Sequence, residues 1–254
     1  MPISMIDLEC GRQWANKVGL VPTDQFGDVY GLDDEVGHFV LWSCTPKMNE
    51  GQLLSMVPRP VKAVVLLFPI GGSLEAARVE EDEKIKREGQ VRVDPTIMWI
   101  KQTIGNACGT MGLLHALANS NVTIEPESAL AKFIDECKGR LYHDYQLQTP
   151  QETPLFADAH REFASTGQTA VPDSDADVDL HFTCFVQAPS ASARENETEP
   201  MEMRLIELDG RRNGPIDRGV CTDFLRDVAK YVKEQMIPKA SSAQFSMMAL
   251  ATGF

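Results

Sequence analysis

QTIGNACGTMGLLHALAN, residues 102–119, is the stretch from which the fold is read. Asn106 is a residue type that caps helices, because its side-chain oxygen accepts a hydrogen bond from a first-turn N–H. Met111, Leu114 and Ala118 then recur at i, i+3 and i+7. Leu113 and Leu117 add a second apolar stripe, so the spacing predicts a helix enclosed on most sides. Cys108 falls in its first turn, where unpaired N–H groups and the helix dipole favour negative charge and lower a thiol's pKa. None of the other five cysteines shares that placement. Taken alone, the position suits a buried core cysteine equally well.

Upstream, VKAVVLLFPI (61–70) is a β-branched apolar run closed by Pro69, Gly71 and Gly72, and predicts a buried strand. Residues 79–94 carry ten formal charges in sixteen positions and read as a solvated helix or loop. Downstream, residues 128–139 form a second helix candidate. Residues 149–179 are rich in Pro, Thr, Ser, Asp and Gly without a period, hence a long loop of the functional or disordered kind. LHFTCFV (180–186) and RLIEL (204–208) are strands, separated by a polar, low-complexity hairpin insertion at 187–203. AQFSMMAL (243–250) alternates well enough for a closing strand. Neither a repeat nor a separating linker occurs, so one domain over 1–254 is expected.

The chain has 254 residues, 43% of them hydrophobic and 24% charged, which fits a globular protein with a sizeable core. Its formal charge is −13. Such acidity repels phosphate backbones, so nucleic acid is a poor partner; it serves solubility or steers a basic partner. MPISMIDLECGRQW has neither a basic n-region nor an apolar h-region, and the longest uncharged stretch, 102–124, is too polar to span a membrane. Cys10, Cys44, Cys108, Cys137, Cys184 and Cys221 are scattered with no CxxC, so neither structural zinc nor a disulfide framework is expected. Reduced thiols in cytoplasm or nucleus follow, with no metal or cofactor.

A nucleophilic cysteine needs a base and something to orient it. His181 opens a strand immediately after the long loop, where a side chain can face a cleft. Asp209 ends the next strand; if the two strands pair as a hairpin, strand start lies beside strand end and the two side chains meet. Alone, each has a plainer reading, as a histidine satisfying the backbone and an aspartate starting a turn. Gln102 lies across the Gly105 turn from Cys108, and its amide can donate to an oxyanion together with the Cys108 N–H. Losing one such donor costs on the order of 3 kcal/mol of transition-state stabilisation. His115 is two helical turns from Cys108, about 10 Å away, and reads as packing. His38, His143 and His160 read as solvated.

GDVYGLDDE, LLSMVPRPVKAVVLLFPI, IKQTIGNACGTMGLLHALAN, DLHFTCFV, ELDGR and FSMMAL, in that order, resemble the ubiquitin carboxyl-terminal hydrolase family of cysteine proteases, in its short form. The resemblance implies an α+β fold with a papain-like core: an antiparallel-rich central sheet sandwiched between helices, on a knotted backbone. It implies cleavage of amide, ester or thioester bonds after the C-terminal glycine of ubiquitin. Cys108 is then the nucleophile, His181 the general base and acid, Asp209 the residue orienting His181, and Gln102 the oxyanion donor. Residues 151–179 correspond to an active-site crossover loop under which a substrate tail threads, so small or unfolded leaving groups are favoured. Ubiquitin contacts are implied for Ile3, Leu8, Ala164, Gly167, Val171, Ser242, Phe245 and Met247. Ubiquitin, whose surface and tail are basic, supplies the partner that the acidity anticipates; a close ubiquitin-like modifier and a mainly ubiquitin-binding, weakly active module remain the alternatives. A monomer is expected.

Two segments depart from the pattern. VGHFVLWSCTPKMNEGQ (36–52) intervenes where the family passes almost directly from GLDDE to LLSMVPRP. Valine codons begin GT and glutamine can be CAG, the boundary signals of an intron. The segment is therefore either a retained intron or a loop exposing Trp42 and Cys44. The second departure, 187–203, lengthens the hairpin between the strands bearing His181 and Asp209, which leaves their register open.

Overall fold

The computed structural model describes residues 8–32, 54–103, 107–138, 180–195 and 201–253. Strands β1 (Asp24–Asp28), β2 (Val61–Pro69), β3 (Leu180–Pro189), β4 (Met203–Leu208), β5 (Ile216–Val220) and β6 (Ser246–Thr252) form one antiparallel sheet. Their spatial order is β1-β6-β2-β3-β4-β5. The helices are α1 (Leu8–Val18), α2 (Gly72–Glu88), α3 (Cys108–Ala118), α4 (Ala129–Lys138), α5 (Ala191–Glu195) and α6 (Phe224–Tyr231). The fold is α+β, with helices on both faces of the sheet.

Strand β2 is apolar almost throughout because it lies inside the sheet with a covered face on either side. Its odd positions Ala63, Val65 and Leu67 enter one core, with Met111, Leu114 and Leu117 of α3 and Trp14 of α1. Its even positions Val64, Leu66 and Phe68 enter the other, with Phe224, Leu225 and Val228 of α6. Strand β6 divides likewise, Met248 and Leu250 to the first core and Met247 and Ala249 to the second. Burying each of the Val, Leu, Phe and Met side chains among these stabilises the fold by ~1.5–3 kcal/mol. Helix α3 lies close on the sheet because Gly112 has no side chain there: a Cβ would come within 3.2 Å of Val65 Cγ1 and 3.7 Å of Phe182 Cβ.

Several boundaries differ from the sequence reading. The glycines that close β2 also open α2: Gly71 and Gly72 have φ of 117° and 59°, and the helix starts at Gly72 rather than in the charged run after residue 78. The 187–203 segment is partly regular, since Gln187, Ala188 and Pro189 pair with Leu205, Arg204 and Met203. Helix α5 follows, tied down by an Arg194–Asp94 ion pair at 2.7 Å. Strands β1 and β5 are short, five residues each, and do not emerge from the sequence reading; neither does helix α6, although it is amphipathic and capped by Asp223. Residues 36–52 and 151–179 lie outside the described residues. Among the described residues no helix is long and apolar enough to cross a membrane.

Candidate active site

Cys108 is the first residue of α3, preceded by Ala107 at the cap position with no side-chain cap; Asn106 lies outside the described residues. Only 5% of Cys108 is exposed. Burial pushes its thiol up, but the hydrogen bond and charge of His181, helped by the Phe182 backbone N–H, bring it below the ordinary value. Both partners sit at the start of β3, which packs against α3.

The hairpin register brings the next member. Strand pairing Cys184↔Leu208 places the start of β3 beside the end of β4. His181 Nε2 lies 2.8 Å from Asp209 Oδ1, which leaves Nδ1 as the ring nitrogen for the thiol. The ring stands edge-on to Phe68, centroids 5.6 Å apart. Burial disfavours a charged His181, yet the Asp209 carboxylate and the Cys108 sulfur raise it to about 9. Burial likewise works against Asp209, but the charge and hydrogen bond of His181, then Arg78 and the Arg211 N–H, hold it well below the usual carboxylate range. Thiol lowered and imidazole raised together make a thiolate–imidazolium pair, the reactive form of a cysteine nucleophile.

Gln102 sits half-buried on the segment that leads toward α3, its backbone N–H donating to Gly210 O at 2.8 Å. Trp99 Nε1 donates to Asp209 O at 2.9 Å. The turn after Asp209 therefore touches both the Asp209 carboxylate and the Gln102 segment.

A family model for ubiquitin carboxyl-terminal hydrolase, family 1, matches residues 6–237. The chain belongs to this family. It is 34% identical to ubiquitin carboxyl-terminal hydrolase 3 of Arabidopsis thaliana, over 94% of this chain and 89% of that one. To ubiquitin carboxyl-terminal hydrolase isozyme L1 of Rattus norvegicus it is 32% identical, over 92% and 90%. In fold it is similar to the Trichinella spiralis UCH37 catalytic domain bound to ubiquitin vinyl methyl ester, with a TM-score of 0.59 at 20% identity, covering 98% and 93% of the two chains. Family membership makes the chain a cysteine-type ubiquitin hydrolase.

Behind Cys108, His181 and Asp209 is a buried ionic cluster that the charge pattern of α2 did not reveal. Arg78 donates to Asp209 Oδ2 and, at 2.8 Å, to Glu207 Oε1. Glu207 is fully buried and also accepts from Arg218 at 2.7 Å and from Thr183 at 3.2 Å. Arg218 and Arg212 both reach Glu81. Arg78 immediately precedes the charged run 79–94 that reads as solvated, and only its neighbours across the fold make it internal. A groove of about 700 Å³ lined by Arg78, Arg218 and Tyr231 lies beside this cluster and does not include Cys108.

Of the residues implied as ubiquitin contacts, Ile3, Ala164, Gly167 and Val171 lie outside the described residues, as does the side chain of Leu8. Ser242 is exposed, whereas Phe245 and Met247 are packed in the core under α6, their side chains not presented to a partner here. Among the described residues no His, Cys, Asp and Glu cluster could hold a metal ion.

Gly210 is constrained by approach. A Cβ there would fall 2.8 Å from Gln102 Cβ, 3.1 Å from its N and 3.2 Å from Ile100 O. Two of these atoms are backbone, so the chain itself must shift. Gly210→Ala is expected to lose about 1–3 kcal/mol of stability by urea titration. An unchanged midpoint would show that the turn yields freely.

Proposed function

We propose that this enzyme hydrolyses amide, ester or thioester bonds after the C-terminal glycine of ubiquitin, with Cys108 as nucleophile, His181 as general acid and base, Asp209 orienting His181 and Gln102 as oxyanion donor. The observation that carries the reading is a thiol at a helix N-terminus against a histidine whose far nitrogen is held 2.8 Å from a buried carboxylate. The Cys108 thiolate attacks the glycine carbonyl and the C=O pair moves to oxygen. That oxyanion accepts from the Cys108 N–H and the Gln102 amide. As the tetrahedral centre collapses, the C–N bond breaks and the His181 imidazolium gives its proton to the leaving amine. Water, deprotonated by His181, then attacks the thioester and releases ubiquitin's carboxylate and the thiolate. Crossover residues 151–179 would restrict the leaving group to small or unfolded chains.

The test is hydrolysis of C-terminal probes. Ubiquitin bearing an aminocoumarin amide should turn over, ubiquitin joined to an unfolded peptide should be cleaved, and ubiquitin joined to a folded domain should resist. Faster turnover of a ubiquitin-like probe than of ubiquitin would reassign the substrate, and binding without turnover would make the chain a ubiquitin-binding module.

The pH dependence follows from the ion pair. Activity needs Cys108 deprotonated and His181 protonated, so kcat/KM should rise as the lowered thiol ionises and fall as His181 titrates near about 9. Asp209→Asn removes the charge that raises His181, so the alkaline limb should move down toward the ordinary histidine range near 6.5. An alkaline limb that stays in place would show that Asp209 does not set it.

A further inference from the structure

Residues 97–103, which carry Gln102, belong to no helix or strand, so something else must hold the amide in place. Helix α3 holds them with two side chains. Asn119, at its C-cap, accepts from the Met98 N–H at 2.7 Å and donates back to Met98 O at 2.8 Å. His115 is fully buried, and its Nε2 accepts from the Ile100 N–H at 2.9 Å. Accepting there requires a neutral ring with its proton on Nδ1, which lies beside the Leu208 carbonyl outside hydrogen-bond geometry. Burial holds the ring at about 4, so it is neutral throughout the working range.

We propose that His115 is a positioning residue for Gln102, fixing the backbone two residues before it. One rigid helix then carries the nucleophile at its first residue and, about 10 Å along, the acceptor that sets the oxyanion donor's segment. Rotation or drift of α3 moves both parts together, which keeps the attacking sulfur and the oxyanion donor in register. A plain packing role explains burial, but not a ring nitrogen spent on a backbone N–H in an otherwise irregular segment.

The inference rests on the oxyanion reading of Gln102, and the test separates the two. Gln102→Ala should lower kcat about 100-fold. His115→Leu should lower kcat about 10-fold or more at unchanged KM, with the alkylation rate of Cys108 by iodoacetamide kept. His115→Gln, whose Oε1 reaches the Nε2 position, should restore most of the loss. In the Gln102→Ala background, His115→Leu should change kcat less than about 2-fold, because the group it positions is gone. Full additivity, or wild-type kcat for His115→Leu, overturns the proposal while leaving the Gln102 reading intact. Wild-type kcat for Gln102→Ala overturns both. If His115→Leu does not fold, His115→Asn, whose shorter amide stops at the Nδ1 position, gives the same comparison.

Discussion

Cys108→Ala should abolish turnover of a ubiquitin C-terminal amide, by on the order of 10⁴-fold or more, with ubiquitin affinity kept. In the proposed mechanism the sulfur makes the covalent bond that divides a hard hydrolysis into two easier steps, and no neighbouring described group can replace it: Cys184 is fully buried and Cys221 is pushed up to about 12. Affinity should survive because Cys108 is only 5% exposed and contributes almost no surface to a partner. The loss should therefore fall on kcat, with titration calorimetry against ubiquitin unchanged within about 2-fold. Substantial activity in this variant would refute the mechanism.

Glu207→Gln should lower stability by about 3–5 kcal/mol, because it leaves Arg78 and Arg218 buried with half their compensation. For a chain of this size that is a fall of roughly 6–20 °C in Tm. The sign with pH can be worked out. Burial raises the Glu207 carboxyl, but Arg218, Arg78 and Arg212 outweigh it and hold it at about 2 against an ordinary 4.5. A carboxyl lowered on folding contributes fully above pH 4.5 and loses that contribution as pH falls toward about 2. Scanning calorimetry should thus show the variant's deficit largest at neutral pH and shrinking below pH 4.5. A deficit of less than about 2 °C at pH 7 would mean that the arginines find water instead.

The two variants probe different kinds of information. Cys108, His181, Asp209 and Gln102 were legible because each stands in a short pattern with a local meaning: a thiol in a helix's first turn, a histidine opening a strand, an aspartate ending one, a glutamine before a glycine turn. The hairpin argument reached from His181 to Asp209 because antiparallel pairing makes strand start and strand end neighbours, whatever lies in the connection. The intervening 187–203 segment did not shift that register, since three of its residues extend β3 and five more form α5.

Arg78, Glu207 and His115 were not legible. Arg78 directly precedes a run that reads as solvated, and its partners lie 129 and 131 residues away. His115 reads as packing because its acceptor role depends on a segment without secondary structure that crosses α3 fifteen residues upstream. By itself the sequence determined single strands and helices and the four residues offered for chemistry, because strand alternation, helix periodicity and motif spacing are local and survive without knowledge of neighbours; the antiparallel-rich α+β arrangement came through the family resemblance. Only the tertiary structure decided which charges are internal and which histidine accepts from the Ile100 N–H. Burial and ion pairing are properties of approach between distant chain segments, and no local period records them.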